Sequence, residues 1–236
     1  MSIQGQRGRK VARKSRNSLT TFYLLVGGVL VLVLGFVGVF ALRAGGASDV
    51  TPVTATVGRT DDGYYYKGNP AASVKVTEYG DYQCPSCAFY DKSLAPIIDR
   101  DYVNTGKVQF IYHELPLTSI HPNAQASAEA ARCAGDQDVA KFWQMHDMLY
   151  LNQDQWAGLS TPQNTFSSYA GQLGLNRSTF DSCLSSGANT AVIQAAEQAG
   201  VTAGIQATPT FDVNGTRVNA DGVAAAIDAA LRAVGQ

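Results

Sequence analysis

The feature that most constrains this chain is Cys84-Pro85-Ser86-Cys87, which stands between a strand-like and a helix-like pattern. Residues 74–79, VKVTEY, alternate and are rich in β-formers, which predicts a strand. A helix is expected from about Pro85 to Tyr102, because proline suits the first helical position. Pro96 should kink this helix, since proline disrupts a helix interior. The two cysteines therefore lie at a strand-to-helix junction.

This junction favours redox chemistry at sulfur. Cys84 would sit at the helix cap, where unpaired backbone N–H groups and the helix dipole stabilise a thiolate. Cys87 lies one turn later, near enough to close a disulfide ring with it, as disulfide exchange requires. The alternatives are an inert disulfide or half of a zinc site. A second CxxC is absent and the three histidines lack close ligand spacing, so no metal is predicted.

The other patterns predict an α/β sandwich with a mixed sheet and a helical insertion. In order they indicate an edge strand near Tyr64–Lys67, a strand over 107–113, helices over about 123–204, a hairpin around Asn214-Gly215, and a helix over 221–234. Phe142, Trp143 and Tyr150 recur at helical spacing and are predicted to form the core of the insertion.

Cys133 and Cys183 both fall in the helical insertion, 50 positions apart. The simplest interpretation is a structural disulfide that joins two helices, because the cysteine count is even and the N-terminal segment predicts an exported chain, in which cysteines usually pair. A second redox relay and two unpaired thiols remain as alternatives.

Residues 22–42 form an uncharged run of 21 residues, close to the roughly 20 that a transmembrane helix needs. Six basic residues precede the run, so residues 1–21 are predicted to be a cytoplasmic tail, residues 22–42 a membrane anchor, and residues 43–236 to lie outside the cell membrane. Residues 43–62 are predicted to be a linker. A cleaved signal peptide is the alternative, with small residues at Gly45 and Ala47.

The net charge of −1 conceals an asymmetry. Residues 1–42 hold six basic residues and no acid, which leaves 12 of the 18 basic residues against all 19 acidic ones, a net charge of −7. An acidic domain is a poor match for phosphates, so no nucleic acid partner is expected.

Three segments carry a resemblance to a known family: GNPAASVKVTEYGDYQCPSCAFY at 68–90, FIYHELPL at 110–117 and GIQATPTFDVNG at 204–215. Together they resemble the DsbA-like branch of the thioredoxin superfamily, over about residues 63–236. The resemblance implies a thioredoxin-like fold in which a helical insertion separates the CxxC from the Thr-Pro loop.

The resemblance also implies roles for individual residues. Cys84 would be the nucleophile and Cys87 the resolving thiol. Pro209 would be a cis-proline that faces them, and Thr208, which precedes it, would contact substrate. A bend of this kind exposes backbone groups that can pair with an extended peptide.

Three further residues, Glu78, Pro85 and Ser86, complete the expected site. Glu78 matches an acid that lies beneath the active site in relatives and could move protons to and from Cys87, although on the strand it could equally face solvent. Pro85 and Ser86 would contact substrate. They replace the histidine-containing dipeptide of strongly oxidising relatives, so the resemblance does not imply a strongly oxidising potential for this chain. The nearest charge, Asp81, would raise a thiol pKa if it lay close.

The predicted function is therefore that of a membrane-anchored, extracytoplasmic thiol–disulfide oxidoreductase that introduces disulfides into exported cysteine-containing proteins. By resemblance, a quinone-linked membrane partner would remove the electrons, and no cofactor is expected. The alternatives are a reductase or isomerase of the same fold, or a non-catalytic thioredoxin-like binding module.

Overall fold

Six strands form one mixed sheet within residues 54–236, the part of the chain that the computed structural model describes. They are β1 (Val57–Arg59), β2 (Tyr65–Gly68), β3 (Val74–Gly80), β4 (Val108–Glu114), β5 (Thr210–Val213) and β6 (Thr216–Val218). Their spatial order is β1-β2-β4-β3-β5-β6, and only the β3–β4 pair is parallel.

The helices fall into three groups. Between β3 and β4 lie α1 (Pro85–Ser93), α2 (Ala95–Ile98) and a π-helical turn (Asp99–Val103). The insertion between β4 and β5 holds α3 (Ala124–Gln137), α4 (Val139–Leu151), α5 (Gln153–Trp156), α6 (Gln163–Gln172), α7 (Arg177–Ser186) and α8 (Thr190–Thr202). After β6 come a 3-10 turn (Ala220–Gly222) and α9 (Val223–Ala233). The prediction of an α/β thioredoxin-like fold with a helical insertion is confirmed.

One face of the sheet is covered by α1 and by the insertion helix α4. Aromatic contacts connect these layers: Tyr90 on α1 packs on Phe211 with ring centroids 4.5 Å apart, and Phe142 on α4 stacks on Tyr65 at 3.7 Å. Phe142 and Trp143 thus pack against the sheet as well as within the insertion. Burial of such rings contributes much of the core stability.

Two local predictions differ from the structure. The strand near Tyr64–Lys67 is not an edge strand, because β1 pairs with it on the side away from β4. β1 itself lies within residues 43–62, the segment predicted to be a linker. The helix from Pro85 is also interrupted. It ends at Ser93, and Pro96 lies in the first turn of α2, where a missing N–H does no harm.

The predicted tail at 1–21, the predicted membrane anchor at 22–42 and the first part of the predicted linker lie outside the described residues. Among the helices of residues 54–236, none combines the length and apolar character needed to cross a bilayer.

Candidate active site

Cys84 and Cys87 lie at the N-terminus of α1, next to the end of β3. Cys84 is the N-cap residue, with extended backbone angles (φ −70°, ψ 122°), and proline occupies the first turn that follows. Cys84 retains 7% of its surface, whereas Cys87, one turn further, is fully buried. A reacting thiol can therefore reach only the first sulfur.

The two thiols have opposite acidities. The pKa of Cys84 is lowered to about 5, chiefly by a hydrogen bond from the Cys87 thiol. Burial acts in the opposite direction, and hydrogen bonds from Thr208 and from the backbone amides of Cys87 and Ser86 lower the pKa further. Burial raises the pKa of Cys87 well above its ordinary value. At neutral pH Cys84 is a thiolate and Cys87 a thiol, the arrangement that a nucleophile and its resolving partner need.

The loop before β5 completes the site from the far side of the insertion. The Thr208–Pro209 peptide bond is cis. In the thiol form, Cys84 Sγ donates a hydrogen bond to the Thr208 carbonyl oxygen at 3.3 Å. A cleft of about 400 Å³ opens beside Cys84, and its lining residues are Pro85, Ser86, Phe89, Pro209, Asn219, Ala220 and Asp221. The structure therefore gathers the predicted substrate-contacting residues around the reactive sulfur.

Glu78 lies in the interior rather than in solvent. It is 2% exposed and stands on β3 opposite Tyr112 and Phe211, on the face that α1 covers. Burial raises the pKa of its carboxyl well above the ordinary value, and Glu78 in turn helps to raise the pKa of Cys87. The solvent-facing alternative for Glu78 is wrong, and its buried carboxyl lies near enough to Cys87 to affect the acidity of that thiol.

Asp81 does not act on Cys84 as the sequence suggested. Its carboxylate accepts hydrogen bonds from the Gln83 amide at 2.8 Å, the Leu117 amide at 2.9 Å and His121 Nδ1 at 2.7 Å. These three partners hold the charge in a local network. Asp81 is accordingly not among the groups that set the low pKa of Cys84.

The insertion holds the backbone on which Cys84 stands. Gln153 Nε2 donates to the carbonyl oxygens of Tyr82, at 2.7 Å, and of Cys84, at 3.0 Å. Gln83 donates to the Ala157 carbonyl at 2.8 Å and accepts from the Asn123 amide at 2.6 Å. Sequence reasoning missed these glutamines, because no local pattern shows which carbonyl a distant amide will reach.

Sequence reasoning also missed a group of charged residues behind Cys87. Asp91 lies on α1, four residues beyond Cys87 and so on the same helix face, a spacing that could have identified it. Lys67 from β2 and His146 from α4 join it from elements far away in the chain.

Two groups of described residues bring three possible metal ligands within 4.8 Å of one another. In the first, Glu129 lies beside Cys133 and Cys183, which form the structural disulfide that the sequence predicts rather than a pair of free thiols. In the second, Asp91 and Asp147 accompany His146, both of whose ring nitrogens already have partners. We assign neither group to a metal, and no cofactor is assigned.

Comparison with known proteins agrees with this geometry. Residues 60–233 match the family model described as Thioredoxin. The chain is 34% identical over 171 residues to the Na(+)/H(+) antiporter NhaA 1 of Salinispora arenicola, covering 71% of this chain and 24% of that protein. It is 31% identical over 194 residues to a Rickettsia felis protein provisionally named protein-disulfide oxidoreductase, covering 78% and 65%.

Both relatives are therefore longer than the part matched, and the chain spans less than two thirds of either. Among solved structures, oxidised BdbD from Bacillus subtilis superimposes with a TM-score of 0.67 at 23% identity, over 75% of this chain and 98% of that one. At this identity the likeness concerns the fold.

Proposed function

Because this chain belongs to the thioredoxin family and has the fold of its DsbA-like members, we propose that it is an extracytoplasmic thiol–disulfide oxidoreductase that introduces disulfides into exported proteins. The observation that carries the proposal is the asymmetry of the CxxC pair. Cys84 is accessible and acidic, and Cys87 is buried and weakly acidic, beside the loop at Pro209. The provisional name of the Rickettsia relative supports this chemistry.

The reaction follows from that asymmetry. A substrate thiolate attacks Cys84 Sγ of the Cys84–Cys87 disulfide, and Cys87 leaves and takes up a proton. A second substrate thiolate then attacks the substrate sulfur of the mixed disulfide and releases the Cys84 thiolate. Two electrons pass to the cysteine pair, and the substrate gains a disulfide. The low pKa of Cys84 makes it a good leaving group in the second step.

The cleft beside Cys84 receives the substrate chain. Phe89 on its wall is 62% exposed, so an apolar side chain next to the substrate cysteine can pack on it. Cysteine-containing exported proteins are the proposed substrates, and a quinone-linked membrane protein is the proposed electron acceptor. Ion transport belongs to the whole antiporter relative, of which the match covers 24%.

The reduction potential of Cys84–Cys87 tests the direction of electron flow. The full chain is equilibrated in glutathione mixtures while Cys133–Cys183 is followed separately by peptide mapping. A value near about −120 mV would support the proposed disulfide donor, whereas about −270 mV would indicate a reductase. Cys84→Ser is the control and should abolish exchange. A wild-type pair that exchanges with no thiol would contradict the enzymatic proposal.

We also propose that residues 22–42 anchor the chain, with residues 1–21 in the cytoplasm. In intact cells, a membrane-impermeant protease should degrade the domain and leave the tail protected. A mature chain that begins after Ala47 would instead show that the segment is cleaved.

A further inference from the structure

A group of ionisable side chains lies between the sheet and helices α1 and α4, behind Cys87. Glu78 contributes from the sheet, and its Oε1 atom has no hydrogen-bond partner among the described residues. The charged groups that act on Glu78 are Asp91 on α1, Lys67 on β2 and Asp99 in the π-helical turn. The rest of the cluster includes Tyr90 on α1, Tyr112 on β4, His146, Asp147 and Tyr150 on α4, and Tyr82 before the CxxC.

Asp91 and Asp147 approach each other around His146. Carboxylate oxygens of the two acids and a ring nitrogen of His146 all lie within 4.8 Å of one another. His146 Nε2 is 3.2 Å from Asp91 Oδ1, and its Nδ1 is 3.1 Å from the Tyr82 hydroxyl. Two carboxyls this close in a mostly buried place are costly to ionise together, and burial and the neighbouring Asp91 raise the pKa of the Asp147 carboxyl well above its ordinary value.

Lys67 forms its direct ion pair with Asp99 rather than with Asp91 or Asp147. Its ammonium lies 2.6 Å from Asp99 Oδ2, and its side chain is 7% exposed. Burial acts to lower the pKa of Lys67, but Asp99 and Asp147 raise it overall, so the lysine stays charged and forms an ion pair with Asp99. The cluster therefore contains more carboxyl groups than cations, because Lys67 pairs with Asp99 while Glu78, Asp91 and Asp147 have no lysine or arginine of their own among the described ion pairs.

The proposed exchange reaction requires a proton in this region. When a thiolate opens the disulfide, Cys87 leaves as a thiolate, although it is fully buried. Glu78 lies close enough to raise the pKa of Cys87, and Asp91 is the neighbouring charge that most raises the pKa of Glu78. The Glu78 carboxyl is therefore coupled electrostatically both to the buried sulfur and to Asp91, one member of the Asp91–Asp147 pair. At 2% exposure it has little access to water of its own.

We propose that Asp91 and Asp147 are positioning residues that hold and return the proton which Glu78 delivers to Cys87, and that Asp91 exchanges it with water. The Asp91 side chain is 10% exposed, which gives the group a contact with solvent. Opening the disulfide moves one proton inward along this route, and closing it moves one outward. The inference rests on the proposed function of the CxxC pair.

Asp91→Asn and Asp147→Asn test the route in the full chain. At position 91 asparagine keeps the volume and an acceptor oxygen for His146, but it cannot release a proton. We would measure the rate at which dithiothreitol reduces the Cys84–Cys87 disulfide between pH 5 and 8, in H2O and in D2O, at constant thiolate concentration. Each variant should be on the order of 10-fold slower, below the ~10²-fold or more of direct acid catalysis.

A relay differs from a structural role in three ways. The solvent isotope effect and the pH dependence of the wild-type rate should both diminish in the variants, while the pKa of Cys84, read from thiolate absorbance, should stay near its wild-type value. In a Glu78→Gln background, Asp91→Asn should cause no further loss, because groups acting in series are not additive. Asp101→Asn, an exposed carboxylate paired with Arg100, is the matched control.

Wild-type rates and isotope effects in both variants would overturn the route while leaving exchange, and thus the proposed function, intact. Failure of the wild-type pair to exchange would instead reject the proposed function. Melting temperatures show whether each variant folds. If Asp91→Asn unfolds, Asp147→Asn is used instead, because it should not destabilise the fold when it removes one of two neighbouring buried acids.

Discussion

Replacement of Cys84 by serine should destabilise the dithiol form of this protein in a pH-dependent way. The pKa of Cys84 is lowered from 9.0 to about 5 by folding, so the folded protein binds a proton less tightly than the unfolded chain. A depressed acid contributes stability that is present in full above the unfolded pKa. It is lost progressively as the pH falls towards the folded pKa.

At pH 7 only the interval between about 5 and 7 contributes, which amounts to about 2.7 kcal/mol before screening by solvent. Because Cys84 lies at a helix terminus beside an open cleft, we discount this to about 1–2 kcal/mol. At pH 4 the contribution should vanish. Serine keeps a donor for the Thr208 carbonyl oxygen, so the variant removes the thiolate with little change in shape.

Urea unfolding of the dithiol protein and of Cys84→Ser from pH 4 to 8 provides the measurement. The reductant is kept low enough to leave Cys133–Cys183 intact. The difference in unfolding free energy should rise from near zero at pH 4 towards pH 8. Cys87 contributes equally to both proteins, because its raised pKa keeps it protonated over this range. A difference that stays flat with pH would refute the reasoning.

Three further perturbations have defined outcomes. Glu114→Gln should cost about 3–5 kcal/mol in urea unfolding, because it leaves the Arg132 guanidinium, 2.7 Å from Glu114 and 4% exposed, as an unpaired buried charge; a loss below about 1 kcal/mol would contradict this. Replacing Cys133 and Cys183 by alanine should cost at most about 4 kcal/mol by the loop-entropy model and leave the reduction potential of the CxxC unchanged. Gln153→Ala should cost about 1 kcal/mol and slow thiol exchange, whereas an unchanged exchange rate would show that the two carbonyl contacts do not position the nucleophile.

The location of the active site could be predicted from the sequence because its chemistry is local. The cap position of Cys84, the one-turn spacing to Cys87 and the proline between them are properties of adjacent residues. The hairpin around Asn214-Gly215 was predictable for the same reason, since asparagine and glycine tolerate the positive φ angles that they adopt here, 48° and 89°.

The position of β2 in the sheet was predicted wrongly, because period and propensity say nothing about neighbours. Tyr65 and Lys67 pair with β4 on one side and with β1 on the other, and a three-residue strand such as β1 has too short a pattern to recognise. The orientation of Glu78 was equally undecided, since an alternating strand specifies two faces but not which of them α1 will cover.

Spacing along the chain thus determines which sulfur reacts and which resolves, because helix geometry acts over three or four residues. The surroundings of the buried sulfur depend on tertiary packing. The charged groups there come from four separate elements: Lys67 from β2, Glu78 from β3, Asp91 from α1 and His146 from the insertion. They meet only because sheet register and helix packing bring these elements together. Burial then raises the pKa of Glu78 and lowers that of His146, an effect that depends on surrounding atoms rather than on sequence neighbours.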